Sequence, residues 1–263
     1  MARYQIILAY DGSGFSGSQR QASSRTVQSE LERALSRLGW QGKSVLLAGR
    51  TDTGVHASGQ VAAFDLEWNH PPAELVEALN GNLPADMAVS AAKIVADGFH
   101  SRFDATSRRY RYRVFCQPLR DPLRERYAWR VWPQLDEKAL QDVSQLFLGR
   151  HDFAAFGSPL QRGSSTTRTV TKAEWQSRED EWAFEVQADA FLYRMVRKLV
   201  HVQVAVGQGR LSAQAVADAL AGRPPRKYLG AGTVIPGGLA PANGLTLVEV
   251  TYPVATDASV ESD

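Results

Sequence analysis

The chain has 263 residues, 44% of them hydrophobic, with a formal charge of +2 and one cysteine. That supplies a substantial core for one large domain or two smaller ones, and the chain reads as globular. Cys116 alone cannot close an intrachain disulfide and, in RYRVFCQP, reads as a small buried hydrophobe. MARYQIILAYDG meets Asp11 too soon for a leader and no run of about 18 apolar residues occurs, so the expectation is a cytoplasmic protein with no membrane partner.

In chain order, alternation predicts a strand at Arg3 to Tyr10, and Thr26 is placed to cap a helix carrying Val27, Leu31, Ala34, Leu35 and Leu38 on one face. A buried run follows at Ser44 to Ala48 and a strand at Gln60 to Leu66. Pro71 and Pro72 open a second helix through Leu79, before a strand at Met87 to Val95. The second half repeats this material. Strands are predicted near Arg108 to Phe115, Thr169 to Gln176, Trp182 to Gln187 and Leu245 to Tyr252, with helices near Asp136 to Leu148, Phe191 to Val206 and Ser212 to Ala221. The pattern is mixed α+β. Two halves, 1–105 and 106–254, meet at a basic junction, and the small acidic tail 255–263 is expected to fray.

Charge is unevenly spread. From Arg102 to Arg130 nine arginines face three acids, so this segment carries +6 and the remainder −4. Interleaved with Phe103, Tyr110, Tyr112, Phe115, Tyr127 and Trp129, it suits a phosphate backbone and stacked bases; the alternative is a solvated strand face above ordinary core aromatics.

Gly12, Gly14 and Gly17 in DGSGFSG form G-x-G-x-x-G after a strand, as a dinucleotide-binding turn would. The next helix begins too late, however, and SVLLAG ends without an acid to hold a ribose. A flexible loop carrying Ser13, Ser16, Ser18, Gln19 and Arg20 to a phosphate or base fits better. The five histidines lack metal-ligand spacing, and Asp152 between aromatics reads as a turn or cap. In FLYRMVRKLVHVQV, Arg194, Arg197, Lys198 and His201 fall on one helical side, facing either water or Asp52, with which an arginine could form a two-pronged pair. AGRTDTGVHASGQ itself reads as a tight connection at a sheet end, where Asp52 either is displayed or caps its own turn.

AGRTDTGVHASGQV closely resembles the catalytic signature of the tRNA pseudouridine synthase A family. YDGSGFSGSQRQ, FHSRFDATSRRYRYRV, LGRHDFAAF, FLYRMVRKLV and APANGLTLVEV extend the resemblance over nearly the whole chain, with His201 standing where a glycine is expected. The resemblance implies that uridines in the anticodon stem-loop of tRNA are isomerised to pseudouridine, without cofactor or metal. It implies that Asp52 is the catalytic acid, as nucleophile or as base, through either a covalent adduct or a glycal. Arg50 would enter the space left by the flipped base, Tyr110 would stack on the uracil, Arg197 would pair with Asp52, and Leu245 would pack near the base. It also implies a two-lobed fold with a largely antiparallel sheet, helices outside and a central basic cleft, and a homodimer.

Two rival readings stand beside it. A non-catalytic tRNA-binding or folding module would use the same arginines and aromatics with no need of an acid in the cleft, and a nicotinamide-dependent oxidoreductase would use the glycine turn.

Overall fold

In ARYQIILAY alternate residues share a face, and Tyr4, Ile6, Leu8 and Tyr10 are all buried along β1 (Ala2–Tyr10). The structure, a computed structural model, describes residues 1–161, 163–224 and 232–253; the tail expected to fray lies outside the described residues. After β1 come α1 (Val27–Arg37), β2 (Leu46–Leu47), β3 (His56–Leu66), α2 (Pro72–Asn80), β4 (Met87–Val95) and β5 (Ser107–Cys116). The second half adds β6 (Trp129–Val131), α3 (Glu137–Gln145), β7 (Gly149–Asp152), β8 (Thr167–Arg178), β9 (Glu181–Ala188), α4 (Met195–Gly207), α5 (Ala213–Leu220) and β10 (Leu245–Thr251).

All ten strands belong to one sheet, with the main path β4-β1-β3-β10-β5-β9-β8-β7; β2 pairs β3 and β6 pairs β5. Only β10 with β3 and β5 with β6 run parallel, so the α+β fold with a largely antiparallel sheet is as expected. The last strand, β10, joins the two halves of the chain: Thr246 stands opposite His56 on one side and Arg111 on the other. Residues from distant parts of the sequence therefore meet at the middle of the sheet.

Helix ends follow local chemistry. The Thr26 side chain accepts from Ser29 N at the start of α1, and Asp136 and Ser212 do the same for α3 and α5. Helix α2 takes proline at its first turn, where no N–H is needed. Inside the core, Leu31 and Leu35 of α1, Leu75 and Leu79 of α2, and Leu199, Val200 and Val202 of α4 are fully covered.

The structure departs from the sequence reading in three places. Helix α4 begins at Met195 rather than Phe191, because Arg194 takes φ 61° and ψ 10° in the left-handed region and so cannot continue a right-handed helix backwards. The run Ser44 to Ala48 yields only a two-residue ladder, Leu46 and Leu47 against Ala63 and Ala62. Strands β6 and β7, three and four residues long, were not expected; such short stretches carry too few residues for a period to show.

Candidate active site

The connection from β2 to β3 is held on both sides. Ala48 N donates to Val61 O at 2.8 Å, and Val55 N closes back on Asp52 O at 3.1 Å with Gly54 at φ 79°. Between them Thr51 is buried: its N–H donates to Ser18 Oγ at 2.8 Å, its carbonyl accepts from Ser18 N at 3.0 Å, and its hydroxyl meets Tyr10 Oη at 2.9 Å. Gln60 holds Gly49 through both amide atoms, at 3.0 and 2.8 Å. With its backbone fastened on each flank, the loop presents Asp52 partly exposed, and the carboxylate does not cap its own turn.

Asp52 is instead bonded from α4. Arg197 Nη1 donates to Asp52 Oδ2 at 2.8 Å, while Arg197 Nε donates to Ala240 O at 2.8 Å. The pair is single-pronged, not the two-pronged fork expected, because the guanidinium divides its donors between the carboxylate and a carbonyl. Among the described residues Asp52 Oδ1 receives no hydrogen bond. Arg194, turned outward by its left-handed backbone, lies over the Tyr193 ring at 4.6 Å and brings Nε to 3.9 Å from Asp52 Oδ2. The basic side of α4 thus faces Asp52 through Arg197, while Lys198 turns to the Pro236 and Gly238 carbonyls and His201 stacks on Trp129 at 14° between planes.

Asp52, Arg50, Tyr110, Arg197 and Leu245 all line one cleft of about 950 Å³, within the size of small-ligand sites. Six arginines line it (20, 50, 102, 108, 194 and 197) against one carboxylate, so its field is positive. Tyr110, from the middle of β5, packs edge-on against Phe191 with ring centres 5.1 Å apart. A Cβ added at Gly49 would stand 3.7 Å from its hydroxyl, so the phenol abuts the backbone of the Asp52 loop. Burial pushes the Tyr110 phenol well above its ordinary value. Leu245 opens β10 and is buried beside the cleft. Arg50 is exposed and has no hydrogen bond or ion pair among the described residues.

Two parts of the sequence reading gain partners that the sequence did not disclose. The arginines of 102–130 are mostly committed to carboxylates within the fold: Arg109 to Glu249 and Glu185, Arg111 to Glu185, Arg113 to Glu181, Arg124 to Asp180, Arg126 to Asp11, and Arg120 and Arg130 to Glu125. Apart from Glu125, these acids lie 56 or more residues away in sequence, so local charge counting could not see them. Arg108 donates to the carbonyls of Ala48, Arg102, Ala105 and Asp189, tying three cleft-lining segments together. Only Arg102 of the nine lacks a carboxylate or carbonyl partner among the described residues.

The glycine loop packs on the Asp52 loop and also lines the cleft through Ser16, Gln19 and Arg20. A Cβ at Gly12 would fall 2.1 Å from Val55 O, and Gly17, at φ 91°, would meet Thr51 O at 3.0 Å. Ser18 is fully buried on Thr51, which removes it from direct ligand contact, while Arg20 pairs with Glu32 and stays exposed to the cleft. No helix starts at the third glycine, as a dinucleotide turn requires; α1 begins ten residues later at Val27. Asp152 accepts from Ala154 N and Thr166 Oγ1 and is a turn residue, as read.

Tyr10, Gln60 and His56 were missed as supports. His56 accepts from Gly12 N at 3.0 Å through Nδ1 and bonds Asn243 O at 3.1 Å through Nε2; burial keeps the imidazole below its ordinary range although Asp11, 3.2 Å away, pulls the other way. The available signal was a glutamine in the otherwise apolar strand QVAAF, since a buried polar side chain needs a partner.

Residues 6–104 and 143–253 match the family described as tRNA pseudouridine synthase. A tRNA pseudouridine synthase A of Limosilactobacillus fermentum is 40% identical over 257 residues, covering 96% of each chain. One of Shouchella clausii is 38% identical over 253 residues, covering 96% of this chain and 94% of its own. One of Methylacidiphilum infernorum is 40% identical over 251 residues, covering 95% of both. With that match spanning both halves that build the cleft, this chain belongs to the tRNA pseudouridine synthase family.

Proposed function

We propose that this protein isomerises uridine to pseudouridine in tRNA, with Asp52 as the reacting carboxylate. The observation that carries the reading is Asp52 itself: one oxygen bonded by Arg197, the other without a hydrogen bond among the described residues, in a cleft whose other charged lining residues are arginines. A module that only bound RNA would be weakened by a carboxylate among those arginines.

In the reaction the N1–C1′ bond breaks, the uracil turns, C5 bonds to C1′, the proton on C5 leaves to solvent and N1, freed from the sugar, takes one up. The product is an isomer of the substrate, with one proton exchanged and no net change in electrons, so no cofactor or metal is invoked. Asp52 attacks C1′ or removes a sugar proton, two routes that share the same open oxygen. Arg197 holds that carboxylate in place through its 2.8 Å hydrogen bond. Tyr110 stacks on the turning uracil, Leu245 packs beside it, and Arg50, exposed and unpartnered, fills the stack the base has left.

The anticodon stem-loop as target, a homodimer, a cytoplasmic site and a functional division of the chain near residue 105 belong to the same reading and rest on the family resemblance. No helix among the described residues is long and apolar enough to cross a membrane. Incubating the purified protein with an unmodified tRNA transcript and mapping pseudouridine tests the proposal: modification in the anticodon stem-loop that disappears in Asp52→Asn is expected, and its absence with wild-type protein would overturn it.

A further inference from the structure

Phe103 is 74% exposed and lines the same cleft as Asp52. Single exposed apolar residues are ordinary on protein surfaces, but Leu160 and Tyr193, 51% and 43% exposed, line this cleft as well. Apolar surface is therefore concentrated at the rim of a pocket whose charged lining is almost wholly cationic.

The Phe103 turn is also held firmly. The His100 ring lies against Phe103 with centres 4.2 Å apart and planes 36° apart, and its Nδ1 accepts from the backbone N–H of Arg102 and Phe103 at 3.1 and 3.3 Å. His100 N donates to Asp104 Oδ2 at 2.8 Å, and the buried Ser101 hydroxyl donates to Leu46 O at 2.8 Å. Tyr252 Oη donates to Ser101 O at 2.6 Å, and Arg108 bridges Arg102 O to Ala48 O at the root of the Asp52 loop. A ring supported from behind and open in front has already lost the freedom that binding would otherwise remove. Beside it, Arg102 places its guanidinium carbon 5.8 Å from the ring centre and has no ion pair among the described residues.

We infer that Phe103 is a stacking platform for a base adjacent to the target uridine, with Arg102 contacting the neighbouring phosphate. The inference rests on the proposed tRNA reading and names a subsite distinct from the uracil position, since Tyr110 and Leu245 lie buried at the cleft floor while Phe103 stands at its rim. A π-face flanked by a free cation suits a nucleotide, offering one surface to the base and one charge to the backbone.

The test is a cycle between protein and RNA. Filter binding measures Phe103→Ala, Phe103→Leu and Phe103→Tyr on an unmodified tRNA transcript, and on transcripts made abasic at the nucleotide either 5′ or 3′ of the target uridine. Alanine and leucine should weaken binding roughly tenfold to a hundredfold, the range base–aromatic stacking supports, while tyrosine stays within about twofold of wild type. On one of the two abasic RNAs wild type should fall to the level of Phe103→Ala, which loses nothing further. Leucine binding as tightly as wild type, or an alanine penalty undiminished on both abasic RNAs, would overturn the platform. Release of tritium from C5-labelled uridine by wild type is followed in parallel: without it the isomerase reading falls and takes this inference with it, whereas intact release with no coupling to the abasic sites defeats Phe103 alone.

Discussion

Arg197 Nη1 stands 2.8 Å from Asp52 Oδ2 while its Nε stands 2.8 Å from Ala240 O, so one guanidinium ties the Asp52 loop to the segment before β10. Asp52→Asn should lower single-turnover tritium release by roughly 10⁴-fold and leave tRNA affinity near wild type, because the acid acts in chemistry and not in holding phosphate. Arg197→Lys keeps the charge but cannot reach both acceptors, and should cost roughly 10- to 100-fold in the same assay. An Asp52→Asn enzyme within about tenfold of wild type would remove Asp52 from the reaction.

Pairing within the fold determines which arginines RNA can use. Arg102→Ala should reduce the slope of log affinity against log salt by about one, whereas Arg111→Ala and Arg113→Ala, whose partners are Glu185 and Glu181, should leave it unchanged. Filter binding across a salt series decides, and an equal flattening by Arg113→Ala would show that the ion pairs open for phosphate.

Tyr10, Tyr110, Tyr112 and Tyr252 all have phenol groups whose titration burial displaces upward from 10.0. Folded tyrosines therefore keep their protons at pH values where the unfolded chain releases them. Stability is unaffected below about pH 10 and is lost as pH rises beyond it. Chemical denaturation at a series of pH values should show this alkaline fall, shallower in Tyr110→Phe. Tyr110→Phe should bind tRNA normally, and any lost turnover measures what the hydroxyl gives to proton transfer.

Gly12→Ala should displace the Asp52 loop, since the new methyl would overlap Val55 O. The expected result is a melting temperature lowered by several degrees, with roughly 1–3 kcal/mol lost to overpacking, and turnover reduced more than affinity. An unchanged melting temperature would mean that the loops separate easily, contrary to their packing.

Local pattern was enough to read most of the frame. Alternation in β1, the Thr26 cap, the prolines before α2 and the span of β4 depend on neighbouring residues, so periodicity and cap chemistry disclose them. The signature around Asp52, with Arg50, Tyr110, Arg197 and Leu245, was legible because residue types and chain order alone carry a family resemblance. Tertiary structure decided what each charge does. Arg108 became a clamp on four carbonyls, Arg111 and Arg113 were neutralised by glutamates some seventy residues away, and Ser18 was buried as a brace for Thr51, because hydrogen-bond partners are chosen by strand order and register. Arg197 reaches Asp52 from 145 positions along the chain, a separation that the fold, with β10 joining its two halves, converts into 2.8 Å. For these contacts burial and pairing are properties of the assembled sheet, because no local stretch of sequence contains both partners.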